Sequence, residues 1–225
     1  MRIAEIFHSV QGEGSLVGVP SVFVRSSGCN LRCGWCDTSY ASWRPEGEDR
    51  PVASILEEVA RLGARHVVVT GGEPMIARDV VALTEGLRRL GLHITIETAG
   101  TVFAPALCDL MSISPKLSNS TPLDDPHWAP RHDRLRIQPD VLRRLMDAYE
   151  YQLKFVVASP GDLDEISPLV ERLAADPFRV FLMPEGREAG LLRERARWIV
   201  EACKREGFRF SPRLHIDLYG DRRGV

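Results

Sequence analysis

The sequence predicts a single-domain α/β fold built around a mostly parallel sheet. Strand and helix patterns alternate about six times along the 225 residues, with the short links that parallel strands joined by helical crossovers allow. The run HVVVT is short and wholly apolar, which is typical of a strand covered on both faces. A doubly wound sheet and a barrel both fit this pattern. An incomplete six-unit barrel, (β/α)6, fits better than a closed eight-unit barrel, which typically takes about 250 residues.

The order of the elements follows from changes in hydrophobic period along the chain. One domain is expected to span residues 1–225, since no repeat, low-complexity tract or linker divides the sequence. A strand extension precedes the first unit, and a loop rich in Pro, Asp and His is inserted near 117–136. The predicted elements are the strands RIAEIF and SVFVR, a helix from Val52 ended by Gly63, strand HVVVT, a helix at 75–90, strands HITIET and DLMSIS, helix VLRRLMDAY, strand YQLKFVV, helix DLDEISPLVERL, strand RVFLM, a helix near 189–206 and a strand around FRFSPRLHI.

Composition and charge exclude several classes of protein. Hydrophobic residues make up 44% and charged residues 27% of the chain, which is ordinary for a globular protein. A net charge of -2 gives no general attraction for nucleic acid or anionic lipid, and no apolar run is long enough to span a bilayer. The start of the chain lacks the apolar core of a secretory signal. An odd number of cysteines, three of them crowded together, argues against a disulfide framework and predicts a cytoplasmic protein.

The crowded cysteines form a C-x3-C-x2-C motif in the loop that follows strand SVFVR. A structural zinc site would want four ligands, but Cys108 and Cys203 are distant and are interpreted as packed thiols. A simple ferredoxin would likewise supply four thiolates for each iron–sulfur cluster. Three thiolates fit a 4Fe–4S cluster with one iron left free of protein ligands, held by Cys29, Cys33 and Cys36.

A second motif, GGEP at residues 71–74, follows strand HVVVT and precedes a predicted helix. Paired glycines let the backbone approach a ligand closely, and Pro74 suits a first helical position. Taken alone, the motif is no more than a tight turn between a strand and a helix.

Together the two motifs resemble the radical S-adenosylmethionine (SAM) superfamily. The cysteine spacing, Trp35 before the last cysteine, and GGEP after the next strand all match that superfamily in order and in structural context. The resemblance implies a radical SAM barrel in which the open iron chelates SAM. Reduction of the iron–sulfur cluster then cleaves SAM to methionine and a 5′-deoxyadenosyl radical.

Three further positions carry candidate substrate chemistry, each with a plain alternative. QGEG at residues 11–14 offers glycine backbone beside amide and carboxylate groups, although a solvated glycine turn is the more common meaning. Arg25 ends strand SVFVR and suits a carboxylate ligand or a local ion pair. Asp37 and Thr38 follow the last cysteine, where they suit a hydrated Mg²⁺ or a hydrogen bond that stabilises the loop.

In sequence order, QGEG, VFVRSSGCNLRCGWCDT, TGGEP, ETAG, SPK and LHIDLYG resemble the 7-carboxy-7-deazaguanine synthase family. The resemblance runs from about residue 5 onward and is weakest across 117–150. It implies conversion of 6-carboxy-5,6,7,8-tetrahydropterin to 7-carboxy-7-deazaguanine with loss of ammonia, in queuosine and 7-deazapurine biosynthesis. It also implies a barrel reduced in helices, Mg²⁺ and SAM as cofactors, a homodimer, and an external reductant such as flavodoxin.

The same resemblance implies a role for individual residues. Beyond the three cluster cysteines, Thr38 would contact Mg²⁺, and no catalytic residue is implied other than the iron–sulfur cluster and the SAM radical. His215 and Lys154 stay undecided between site residues and structural ones. The implied SAM contacts are Gly71, Gly72, Glu73, Glu97, Ser114, Pro115, Lys116, Met183, Pro184 and Glu185. The implied substrate contacts are Val10, Gln11, Gly12, Glu13, Arg25, Thr70 and Val225.

Two alternative functions use the same thiols. A glycyl-radical-enzyme activating protein shares the cysteine spacing, but it acts on another protein and would not need QGEG, Arg25 or Thr38 as a small-molecule pocket. A zinc-binding or electron-carrier protein would use the thiols without catalysis. Analysis of bound iron and sulfide distinguishes the second alternative from an enzyme.

Overall fold

One mixed sheet of nine strands forms the centre of the computed structural model, which describes residues 1–225. The strands are β1 (Arg2–Val10), β2 (Pro20–Ser26), β3 (Glu48–Asp49), β4 (His66–Gly71), β5 (His93–Thr98), β6 (Leu110–Ile113), β7 (Tyr151–Val157), β8 (Val180–Pro184) and β9 (Arg209–Phe210).

The strand order confirms the predicted α/β architecture. Across the sheet it reads β3-β1-β2-β4-β5-β6-β7-β8-β9. Neighbours from β2 to β9 are parallel, whereas β1 pairs antiparallel with both β2 and β3. Because β3 and β9 lie at opposite ends of this order, the sheet is an incomplete barrel with β1 as the expected strand extension.

The helices connect the parallel strands, and one connection lacks a helix. No helix lies between β5 and β6, so the barrel is reduced in helices as predicted. No helix has the length and apolar composition to cross a membrane. The helices are α1 (Val52–Leu62), α2 (Val80–Arg89), α3 (Trp128–Leu135), α4 (Pro139–Ala148), α5 (Leu163–Leu173), α6 (Ala189–Glu206) and α7 (Leu214–Tyr219).

The two faces of the sheet differ because successive side chains of a strand point in opposite directions. One face is aliphatic and packs with the helices into the main core, and Val67 and Val69 of β4 are typical of it. The other face is largely polar and surrounds a cavity, which Thr70 and the β5 residue Glu97 both line. The alternation therefore separates the core from the candidate site.

Helix α1 shows how closely some elements follow the sequence pattern. Ile55 and Val59 on its predicted apolar face are fully buried. Gly63 ends the helix with φ = 73°, in the left-handed region that glycine adopts without the usual steric cost. The start and end of this helix are as predicted.

Three predicted elements need correction. The helix expected at 75–90 is a 3-10 turn followed by α2, which begins at Val80. The loop expected at 117–136 contains α3, whose Pro130 lies in the first turn, where proline is tolerated. The strand expected around FRFSPRLHI is only β9, since Pro212 cannot donate to a ladder and α7 begins two residues later. His215 is therefore helical.

Candidate active site

A cavity of about 450 Å³ opens near the carboxyl ends of the parallel strands. It is lined by the cluster cysteines, Thr38, and every other residue predicted to contact SAM or substrate except four. Those four are Glu73, Pro115, Pro184 and Glu185. Residues predicted from seven separate stretches of sequence therefore face one space.

The cysteine loop, defined here as residues 28–41, directly follows the short link after β2 and forms one wall of the cavity. Burial raises the pKa of the Cys29 and Cys33 thiols to about 12, so both are protonated until a metal displaces the proton. The backbone N–H of Leu31 points at the Cys29 sulfur at 3.4 Å.

The donor set fits an iron–sulfur cluster better than a single metal ion. All three thiols line the cavity, but no group of three or more His, Cys, Asp or Glu side chains is arranged to hold one ion. The iron atoms of a 4Fe–4S cluster accept separated thiolates at different corners, whereas a zinc ion would draw its ligands together.

The glycines of GGEP bring the loop after β4 against the cysteine loop. Glu73 N–H donates to Gly28 O at 2.9 Å, and Gly72 N–H donates to Ser26 O at 3.1 Å. A Cβ atom at Gly72 would lie 2.2 Å from Gly28 O and 2.5 Å from Ala41 O. The paired glycines thus allow close contact between two backbone segments, in addition to the ligand approach that the sequence predicted.

Glu73 has a different position from that expected of a cavity residue. Its carboxylate is fully buried and accepts hydrogen bonds from Met75 N–H at 3.0 Å, Thr98 Oγ1 at 2.8 Å and Ala99 N–H at 2.8 Å. Burial raises the pKa of Glu73. The side chain therefore joins the loop after β4 to the loop after β5.

A charge network, comprising Glu13, Asp37, Glu97, Lys154 and Arg213, lines another part of the cavity. Lys154 and Arg213 are buried, whereas the Asp37 side chain is 41% exposed. Lys154 Nζ donates to Glu13 and lies 4.0 Å from a Glu97 oxygen. Arg213 binds Asp37, lies 3.3 Å from Glu13, and donates to Gly186 O at 2.6 Å. The network connects the QGEG loop, the cysteine loop and the start of α7.

Mutual pairing keeps Glu13 and Lys154 charged. Burial alone would raise the pKa of Glu13, but Lys154 and Arg213 hold it well below its ordinary value. Burial alone would lower the pKa of Lys154, but Glu13 and Glu97 hold it above its ordinary value. The cavity therefore carries fixed positive and negative charge at neutral pH.

Glu97 joins residues that the sequence assigned to two different ligands. Its carboxylate accepts hydrogen bonds from Gln11 Nε2 at 3.1 Å and from Thr70 Oγ1 at 2.9 Å. Gln11 and Thr70 were predicted to contact substrate and Glu97 to contact SAM. The structure brings them into direct contact where the two predicted subsites meet.

Arg25 lines the cavity and also has the local ion pair that the sequence left open. Its Nε donates to Glu5 at 2.7 Å, and Glu5 also accepts from the Tyr40 hydroxyl at 2.7 Å and from Arg223 Nε at 3.2 Å. Residues 221–225, including Val225, line the same part of the cavity.

The SPK and Met183 segments reach the cavity in part. Lys116 lines it and donates to Ser114 Oγ at 2.7 Å. Met183 also lines it, whereas Glu185 binds Arg195 of α6.

Sequence reasoning missed Arg213 and left Lys154 and His215 undecided. All three line the cavity, and the His215 ring lies against Gly12, where a Cβ atom would come within 2.0 Å of Nδ1. The available signal for Arg213 was a charged residue in an otherwise strand-like segment. That signal is weak, because most such residues lie at the surface.

Known proteins resemble this chain in sequence along most of its length. Residues 23–124 match the family model described as the Radical SAM superfamily. A 7-carboxy-7-deazaguanine synthase from Rhodopirellula baltica is 46% identical over 228 residues, covering 100% of this chain and 89% of that protein. The corresponding protein from Halobacterium salinarum is 46% identical, covering 98% of this chain and 91% of that protein.

The fold also resembles solved structures. The crystal structure of QueE from Escherichia coli matches with a TM-score of 0.70 and 28% identity, covering 95% of this chain and 94% of that one. A structure of TYW1 with a lysine–pyruvate adduct matches with a TM-score of 0.57 and 13% identity, which shows a common fold alone.

Proposed function

This chain belongs to the 7-carboxy-7-deazaguanine synthase family of radical SAM enzymes, and from that premise we propose how its cavity works. The reaction is conversion of 6-carboxy-5,6,7,8-tetrahydropterin to 7-carboxy-7-deazaguanine with loss of ammonia, in 7-deazapurine biosynthesis. The observation that supports it most directly is the single cavity shared by the thiols, the GGEP loop, Arg25 and the QGEG loop.

The cofactors are a 4Fe–4S cluster and SAM. Cys29, Cys33 and Cys36 would hold the iron–sulfur cluster, and the residues that would contact SAM are Gly71, Gly72, Glu97, Ser114, Lys116 and Met183, all of which line the cavity. When bound, the pair supplies reductive cleavage of SAM and a radical that abstracts hydrogen. The protein encloses this chemistry and holds the reacting atoms in contact.

Charged and amide groups outside the cysteine loop bind the substrate. Arg25 exchanges its contact with Glu5 for the carboxylate of the pterin, since a guanidinium binds a carboxylate through two parallel hydrogen bonds. Gln11 and Glu13 contact the polar edge of the pterin, with Thr70 beside them. Lys154 and Arg213 keep Glu13 ionised for this role.

Thr38 would supply a hydroxyl to a Mg²⁺ ion, which would orient the substrate and offset its charge. The residue follows Cys36 by two positions, lines the cavity, and has its hydroxyl 3.8 Å from the Cys36 sulfur. Mg²⁺ retains several waters and takes few protein ligands, so a single hydroxyl is compatible with its coordination.

The test is anaerobic reconstitution with iron and sulfide, followed by SAM, reductant, Mg²⁺ and the carboxy-tetrahydropterin. We expect 7-carboxy-7-deazaguanine and ammonia in equal amounts, formed faster with Mg²⁺ than without it. An intact reduced iron–sulfur cluster that cleaves SAM without making this product would overturn the substrate. Radical transfer to a partner polypeptide would instead identify an activating enzyme.

Thr38→Ala tests the metal assignment, and Thr38→Ser is its matched control. We expect the alanine variant to keep its iron–sulfur cluster but to lose the stimulation by Mg²⁺, and the serine variant to keep both. An unchanged Mg²⁺ response in Thr38→Ala would remove Thr38 as a ligand.

The family resemblance also supports a homodimer and an external one-electron donor such as flavodoxin. All five cysteines are free thiols, which suits the reducing cytoplasm. Light scattering of the reconstituted enzyme tests the dimer, and SAM cleavage driven by reduced flavodoxin tests the donor.

A further inference from the structure

The segment from Ser118 to Leu135, which forms a 3-10 turn and α3, lies against the cysteine loop. Gly34 N–H donates to Ser120 O at 2.8 Å, and Trp35 Nε1 donates to Asn119 O at 3.0 Å. These contacts fall between the second and third cluster cysteines. The inserted segment is therefore part of the wall that presents the thiols.

His132 of α3 makes a further contact with this loop. Its side chain is fully buried, and its Nδ1 accepts a hydrogen bond from the backbone N–H of Arg32 at 3.2 Å. Its Nε2 lies 2.9 Å from Ser120 Oγ, whose hydroxyl donates to Leu117 O at 2.6 Å. The Arg32 contact leaves the proton on Nε2, so the ring donates to Ser120 and accepts from the cysteine loop.

The surroundings keep the ring neutral and fixed. Burial and the nearby Arg136 lower the pKa of His132 to about 4, so Nδ1 is free to accept at neutral pH. On the outer side, the Arg32 guanidinium lies 4.4 Å from the centre of the Trp128 ring, and Arg131 lies 4.5 Å from that ring. Backbone and side chain of Arg32 are thus both held by α3.

Between the first and last thiols, the cysteine loop has few backbone–backbone hydrogen bonds of its own, and the Arg32 guanidinium adds two by donating to Cys29 O and Leu31 O at 2.7 Å. Cys36 N–H donates to Cys33 O at 3.3 Å, and Leu31 N–H points at the Cys29 sulfur. The N–H groups of Arg32 and Gly34 instead donate to the inserted segment. A loop with so few internal contacts depends on its neighbour for a fixed geometry.

We infer that His132 is a positioning residue for the iron–sulfur cluster. It fixes the cysteine loop in the geometry that binds the cluster, and it thereby slows release of the bound cluster. It acts through the Arg32 backbone and does not touch iron or sulfide. The role is independent of which substrate the enzyme converts, because it concerns retention of the iron–sulfur cluster.

Three substitutions separate the contact from the space that the ring fills. Asparagine carries its amide oxygen near the position of Nδ1, so His132→Asn keeps an acceptor for Arg32 N–H. His132→Gln reaches the position of Nε2 and loses that acceptor, while His132→Leu loses both contacts. The matched control is His66→Leu, because His66 is also buried and bonded through both ring nitrogens, to Ser21 and Thr95 beneath the cavity.

The measurement is the rate at which reconstituted enzyme loses its iron–sulfur cluster to an iron chelator under anaerobic conditions. We expect His132→Leu and His132→Gln to lose it about 10-fold to 100-fold faster than the parent, as removal of outer contacts to metal ligands typically costs. We expect His132→Asn and His66→Leu to stay within about threefold of the parent, well below that range.

Several results would overturn this role. Loss of the iron–sulfur cluster from His132→Leu at the parental rate would do so. Loss from His66→Leu as fast as from His132→Leu would also do so, because retention would then be a consequence of overall stability. Fast release from His132→Asn would show that the acceptor is irrelevant. If a variant takes up no iron–sulfur cluster, amide exchange in the cluster-free chain decides. Faster exchange confined to Arg32 and Gly34 supports the role, and a uniform increase refutes it.

Discussion

The cysteine loop and the charge network line one cavity and meet at Asp37, but different forces hold them. The cysteine loop is fixed mainly by backbone hydrogen bonds and by close approach of two glycine-containing segments. The charge network is fixed by side-chain ion pairs, and the pairs of Glu13 with Lys154 and Arg213 are the buried ones. A loop that must present thiols benefits from rigid surroundings, whereas a region that must bind a polar substrate needs charge that stays ionised.

The difference has an energetic consequence. Removing one partner from a buried ion pair leaves an uncompensated charge, which typically costs about 3–5 kcal/mol. Adding a carbon atom where two backbones meet forces them apart, at a cost of about 1–3 kcal/mol. Substitutions in the cysteine loop and in the charge network should therefore have different effects on stability and on binding of the iron–sulfur cluster.

Cys33→Ala has the largest expected effect on the cysteine loop. We expect SAM cleavage to be lost, because the iron–sulfur cluster has no spare cysteine nearby. The free energy of unfolding of the cluster-free chain should change little, since the thiol makes no ion pair and the side chain is small. Cleavage of SAM at a rate near the parental one would contradict the ligand assignment.

Lys154→Met is the corresponding test of the charge network. We expect the free energy of unfolding to fall by about 3–5 kcal/mol, since Glu13 loses its closest cationic partner inside the protein. Urea denaturation of the cluster-free chain measures this. Lys204→Met is the control, because its pair with Glu201 is exposed on α6 and should contribute little. Equal effects of the two substitutions would mean that burial does not distinguish the network.

Gly72→Ala should damage the contact between the GGEP loop and the cysteine loop. The new Cβ atom would meet Gly28 O and Ala41 O, so we expect about 1–3 kcal/mol of destabilisation and poor incorporation of iron. Gly190→Ala on α6 is the matched control, since no atom lies within 4 Å of its new Cβ. Iron content after reconstitution, with urea denaturation, measures both. Normal iron content in Gly72→Ala would show that the loops can separate without consequence.

Acid should weaken the scaffold beneath the cavity before it weakens the charge network. Burial and the neighbouring His93 lower the pKa of His66 from 6.5 to about 4. The unfolded chain then binds more protons, so stability falls as the pH drops from 6.5 to about 4, by up to about 1.4 kcal/mol per pH unit for this group. The pKa of Glu13 is lowered, so its contribution is lost only below the ordinary carboxyl range.

Urea denaturation of the cluster-free chain between pH 7 and pH 4 tests this order. His66→Asn should flatten the pH dependence, although His132 contributes in the same window because burial lowers its pKa to about 4 as well. A pH dependence that is unchanged in His66→Asn would remove His66 from the explanation.

Much of the scaffold and of the cysteine loop could be predicted from sequence, because both depend on local pattern. The apolar face of α1 and its end at Gly63 follow directly from residue spacing. The thiols lie close together in sequence, and their loop follows a strand that ends at the cavity. Helix α3 was missed because its composition is polar and it contains Pro130, so no apolar stripe marks it.

The charge network could not be predicted in the same way. Arg213 binds Asp37 across 176 positions and Glu13 across 200, and no local pattern encodes such pairs. Glu73 shows the opposite error, since a motif residue predicted to face a ligand instead accepts hydrogen bonds that join two loops. Motif residues identify a region, but backbone geometry decides which way each side chain faces.

The pairing of the QGEG loop with the segment after β9 also constrains how the molecule assembles. Gly14 N–H donates to Ser211 Oγ across 197 residues, and Leu214 N–H donates to Gly12 O. Closing so long a loop carries an entropic cost before any contact compensates for it. We therefore expect the contacts between the QGEG loop and the segment after β9 to be the last part of the cavity to form. During synthesis, a partly made chain would have its thiols in place before it could recognise a substrate.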